Sequence, residues 1–191
     1  MYLITYVIFG IVLAVLALAL YPRLRSGAPT LTLVGAVVGL IWAGVLVASG
    51  MIFNAGVAAV VELHATSPVQ AVSAWQAIEP VAQGLGGSGG ELLGGLWVLL
   101  VSVAALRTGG LPKMLTWVGL AIGAEGVLSV VPALKDLAYG FGLLQIVWFV
   151  WLGIVLLRTT SRPADPARRA EALETGNSRR PSASELTTAS V

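Results

Sequence analysis

The chain has 191 residues, 57% of them hydrophobic and 10% charged, with a formal net charge of +2. A soluble domain carries about 25% charged residues, so an apolar surplus this large points to a bilayer as the solvent. The absence of cysteine excludes disulfides, thiolate metal sites, cysteine nucleophiles and palmitoyl anchors, and the lone His64 excludes a bis-histidine haem or multi-histidine zinc within one chain.

Five apolar stretches follow in chain order, over residues 3–21, 30–55, 90–107, 114–134 and 137–157. A helix needs about 20 apolar residues to cross the hydrocarbon core. Four stretches meet that length. The third is short, and is expected to stand upright or to draw the preceding glycine segment into the membrane. A cleaved signal peptide is not expected, because Arg23 and Arg25 follow the first apolar run rather than precede it.

Lysine and arginine set the orientation. Arg23 and Arg25 separate the first two stretches, and Arg107 and Lys113 separate the third and fourth. Arg158, Arg162, Arg168, Arg169, Arg179 and Arg180 follow the fifth. With five spans these all fall on one side. The other side holds only Lys135, beside Asp136, and the 62–90 connection has no lysine or arginine. The positive-inside rule therefore predicts an outer N-terminus and a cytoplasmic C-terminus.

Within the outer connection, Ser67-Pro68 reads as an N-cap and a first-turn proline. Val69, Val72, Trp75, Ile78 and Ala82 recur at helical spacing, which predicts a short amphipathic helix lying on the outer surface. Trp75, Trp97 and Trp117 are expected at the membrane interfaces, and Trp42, Trp148 and Trp151 deeper. The polar residues 159–191 predict a disordered cytoplasmic tail. The expected architecture is an all-α bundle of five transmembrane helices, residues 1–158, with that outer helix and tail.

Few residues carry chemistry. Gly84 to Gly89 match a dinucleotide fingerprint by letter, but the strand, the helix of a βαβ unit and the later acidic residue are missing, so the glycines read as a turn. The Gly35/Gly39, Gly90/Gly94 and Gly119/Gly123 pairs read as close helix packing within the chain, or as a homodimer face.

Glu125 is the most unusual residue, a carboxyl expected near the middle of the fourth span, where a charge is costly. Gln145, Ser102 and Ser129 are expected at comparable depth. The expected role is a polar link between helices through Gln145; the alternative is proton-coupled transport. Glu62, His64, Glu79 and Glu91 form a second, outer group. Carboxylates with an imidazole can hold a divalent cation, but their spacing has no ligand signature, and Glu91 can equally stabilise a helix N-terminus. No cofactor and no nucleic-acid partner are expected; the bilayer is, with a second copy or another membrane protein as possible partners.

The stretches 89–100, Gly109-Gly110-Leu111-Pro112-Lys113, 129–134 and 145–158 resemble bacterial multi-pass proteins of domain-of-unknown-function family 4386. The resemblance covers the last three spans and implies a bacterial inner membrane. It brings no activity and no catalytic residues. The expected function is a non-enzymatic accessory or interaction component of the membrane. A small transporter using Glu125 and Gln145, and a membrane enzyme built on Glu91 and His64, are the alternatives.

Overall fold

The computed structural model describes residues 2–86, 91–134 and 136–160. Six α-helices are present among them: α1 (Tyr2–Leu24), α2 (Pro29–His64), α3 (Pro68–Gly86), α4 (Glu91–Thr108), α5 (Lys113–Leu128) and α6 (Leu137–Thr160), with a 3-10 turn at Pro132–Leu134. No described residue lies in a strand. Four stretches are long and apolar enough to cross a membrane: Leu3–Leu24, Pro29–His64, Pro68–Thr108 and Leu137–Thr159. The expected tail beyond residue 160, Lys135, and residues 87–90 of the glycine segment lie outside the described residues.

Two boundaries differ from the sequence expectation. The second helix runs on to His64, because Pro29 starts it and no later proline or charge interrupts it before Glu62. Its 36 residues span about 54 Å at 1.5 Å per residue. The fourth apolar stretch, by contrast, is helical only from Lys113 to Leu128. Pro132 lacks an N–H and disfavours helix in the residue before it, so α5 stops at Ser129 and a 3-10 turn follows.

The packing follows from small residues. α1 runs antiparallel to α2, with Leu3 and Tyr6 on Gly50, Ala43 and Val47 on Gly10, and Ala17 on Gly39. α3 also runs antiparallel to α2. Ile78 lies on Gly56, the Ser49 hydroxyl donates to the Ala82 carbonyl at 2.7 Å, and Gly86 lies on Leu46 and Ser49. α4 continues in the same direction at successive levels of α2, with Gly94 on Trp42, Trp97 on Gly39 and Leu100 on Gly35. α3 and α4 therefore follow one another along α2.

α4 and α5 meet backbone to backbone. A Cβ on Gly95 would lie 2.7 Å from the Val127 nitrogen and 2.8 Å from the Gly123 oxygen. Gly35, Gly39, Gly94, Gly119 and Gly123 are all taken up in such contacts inside the chain. The first part of α6 is held differently, by large side chains. Phe141 fills the space beside Gly94 and Gly126, and Trp148 Nε1 donates to the Leu115 carbonyl at 3.0 Å. Beyond Leu152 the chain forms a separate unit; its described part is the last turns of α6, with Arg158.

Trp97 does not sit at an interface as expected. It is fully buried, among Trp42, Trp148 and Phe149. Gly39 and α4 leave an indole-sized space there, which a depth estimate from sequence position does not register.

The bundle has a basic end. Arg23 Nε donates to the Gly110 carbonyl at 2.9 Å, and Gly27 lies on Thr108 and the Arg107 carbonyl. The α1–α2 and α4–α5 loops thus meet, gathering Arg23, Arg25, Arg107 and Lys113. Gly109, with φ of 64°, makes the left-handed turn that ends α4, its N–H bonded to the Ala105 carbonyl.

Candidate functional site

The two groups of polar residues read from the sequence do not assemble as groups. Glu125 lies in the last turn of α5, not in its middle, and its carboxylate occupies the space a Cβ on Gly140 would take. Gly140 is five residues before Gln145. At about 100° per residue those positions face about 140° apart on α6 and are displaced by about 7.5 Å. Gln145 therefore turns away from Glu125. Ser129 closes the end of α5, its hydroxyl bonded to the Gly126 carbonyl at 2.7 Å. Ser102 is buried against Gly119 on the far side of the α4–α5 seam, its hydroxyl unpartnered.

The outer group is dispersed along α2 and α3. Glu62 and His64 are exposed in the last turn of α2. Glu79 follows Ile78, the residue packed on Gly56. Glu91 lines a cleft with Leu46, eighteen residues from His64, or about 27 Å along α2. Among the described residues no three histidine, aspartate or glutamate side chains cluster as a metal site.

What the fold brings together is one member of each group. Glu91 of α4 and Gln145 of α6 line a half-open cleft of about 160 Å³, floored by Trp42 and Leu46 of α2. Phe9 of α1 and Phe141 of α6 complete its aromatic walls, and the buried Gly86 of α3 and the part-exposed Gly142 of α6 also line it. The rings of Phe9 and Trp42 stand at 79° to one another, 6.0 Å apart, and form two sides of a corner. Gly142 has open space where a side chain would go.

Gln145 is 7% exposed, and its Nε2 has no hydrogen-bond acceptor among the described residues. A buried unsatisfied donor costs about 1–3 kcal/mol. Glu91 is partly buried, and accepts a hydrogen bond from its own backbone N–H. Among the described residues no lysine, arginine or histidine lines the cleft. A second, narrower space of about 10 Å³ lies towards the basic end, between Leu20, Leu24, Ala36 and Val101, and is too small for more than a water.

The Glu91–Gln145 pairing was not legible beforehand, because Glu91 read as an outer residue and Gln145 as an inner one. No family model matches the chain, and no curated protein or solved structure is similar to it.

Proposed function

We propose that the chain is a five-crossing integral membrane protein that captures a small molecule from the outer side, in the cleft lined by Glu91 and Gln145, without covalent chemistry. The membrane setting is supported by an inside-out distribution of side chains. Large aliphatics such as Ile8, Val15, Val37, Ile41, Ile146 and Val150 face outward, whereas Thr32, Ser49, Ser102, Thr116 and Gln145 are buried. The bilayer solvates the former, and helix packing satisfies most of the latter.

In this reading the crossings are α1, the first part of α2, α4 with the end of α3, α5 and α6. The basic end faces the cytoplasm by the positive-inside rule. α1 reaches only to the level of Gly50, so the remaining fourteen residues of α2, about 21 Å, stand beyond it with α3 alongside. α3 is then a packed extension of the bundle, in place of the expected surface helix. The cleft lies below the outer end of α1: Leu46, which lines it, is four residues nearer the basic end of α2 than Gly50.

The observation that carries the reading is the cleft itself: a preformed volume with aromatic walls, a carboxylate and one orphaned amide donor is the composition of a small-molecule site. The non-enzymatic expectation is kept, with capture as the activity. His64, the base an enzyme reading needs, stands far from Glu91. The transporter pair read from the sequence becomes Glu91 and Gln145, with Glu125 of α5 packed on Gly140 of α6.

The wild-type chain has no cysteine, so a single reporter is clean. Gly142→Cys should react with a membrane-impermeant thiol reagent in intact cells, since its side chain enters open space at the rim. Reaction only after permeabilisation, or none at all, would sink outward capture.

A further inference from the structure

We propose that the cleft binds a small organic ammonium ion, of about six to ten heavy atoms, that also carries a hydrogen-bond acceptor. This rests on the small-molecule reading above and names the ligand class. Charge gives the sign. Glu91 supplies a carboxylate, no basic side chain lines the cleft, and the 62–90 connection contains no lysine or arginine. An anion has no cationic partner in this place.

The walls give the chemical class. Phe9, Trp42 and Phe141 line the same cleft as the Glu91 carboxylate. Aromatic faces attract alkylated ammonium groups, which shed water easily, and do so increasingly when desolvated. A bare metal ion is disfavoured, because a hard divalent cation takes six or more oxygen ligands, and the cleft side chains offer one carboxylate and one amide. The volume gives the size. A cavity of about 150 Å³ admits a benzene-sized molecule, and this cleft holds about 160 Å³ with one open side.

Gln145 gives the second requirement. Its Nε2 donor is buried at the cleft with no acceptor. A hydroxyl, ester or carbonyl oxygen a few bonds from the ammonium would accept that bond while the cation meets Glu91. The orphaned donor is then part of the recognition rather than a packing defect. The ligand chemistry is shared by a free amino alcohol and by the headgroup of a choline lipid.

The test is equilibrium binding of radiolabelled choline to the full chain in phosphatidylglycerol nanodiscs, whose lipid has no ammonium group. Saturable binding is expected, displaced by unlabelled choline and not by the neutral isostere with carbon in place of the quaternary nitrogen. Glu91→Gln should weaken binding by roughly 10- to 100-fold, the usual worth of one charged contact. Gln145→Leu should abolish the preference for choline over tetramethylammonium, which lacks the acceptor.

Displacement by a short-chain phosphatidylcholine at lower concentration than choline upholds the ammonium class and makes the source a lipid; the reverse order makes it a free solute. Undiminished binding in Glu91→Gln, or equal displacement by the neutral isostere, overturns the charge assignment. An unchanged preference in Gln145→Leu overturns the acceptor. No saturable binding up to about 10 mM, in a protein whose Gly142→Cys variant is labelled from outside, overturns the ligand class and leaves the cleft reading standing. An unlabelled Gly142→Cys variant overturns the reading beneath both.

Discussion

Glu91 and Gly95 stand one turn apart on α4, and the two places they occupy are opposites. At Gly95 the helix touches the backbone of α5 so closely that no Cβ fits. At Glu91 the same helix borders a cleft that no protein group fills. Close contact along the seam is what small residues are for in lipid, where dispersion and backbone approach replace the hydrophobic effect. The cleft departs from that economy. It keeps ring walls, a carboxylate and an unpaired amide, an arrangement that packing alone does not call for. The seam fixes where Glu91 stands.

The comparison can be broken most severely at the seam. Gly95→Ala places a methyl against the backbone atoms of Gly123, Gly126 and Val127, none of which can rotate away. It should cost about 3 kcal/mol or more, at or beyond the upper end of overpacking. Thermal denaturation in detergent would then show a large fall in midpoint or failure to recover folded protein. A midpoint equal to wild type would mean that α4 and α5 are not in backbone contact.

The cleft should respond with the opposite sign. Gln145→Leu removes the orphaned donor from an apolar wall, so the empty protein should gain about 1–3 kcal/mol. The same variant should bind its ligand less well, separating stability from function. A clear loss of stability would show that Nε2 has a partner and that the cleft is ordinary core.

Gly142→Ala should have the smallest effect. Its side chain would enter open space within α6, and alanine favours helix over glycine by about 0.5–1 kcal/mol. A slight rise in midpoint is expected by the same measurement. A loss comparable with that of Gly95→Ala would close the rim of the cleft and equate the two regions.

Several of these features were legible in the residues themselves. The helix beginning at Ser67-Pro68 forms where its capping pattern put it. The path of α3 was not legible. Val69, Val72, Trp75, Ile78 and Ala82 mark an apolar face, but a membrane surface and the side of α2 accept such a face equally. Gly56 and Ser49 decide for α2, by admitting Ile78 and binding the Ala82 carbonyl. Glu125 was expected in mid-helix because apolar residues continue past it, while Pro132 ends the helix early and leaves it in the last turn.

The sequence by itself determined an all-helical chain, long apolar helices and a gathering of Arg23, Arg25, Arg107 and Lys113 between them. Hydropathy and the lysine–arginine bias are summed over windows of about 20 residues and survive almost any packing of the helices. Only the tertiary structure decided that α3 and α4 share α2 in tandem, and that Gln145 meets the cleft of Glu91 while Glu125 meets Gly140. A polar partnership depends on rotation by about 100° per residue and on a one-turn shift between neighbours. Those quantities are set by which glycine receives which ring, and no single helix carries that information alone.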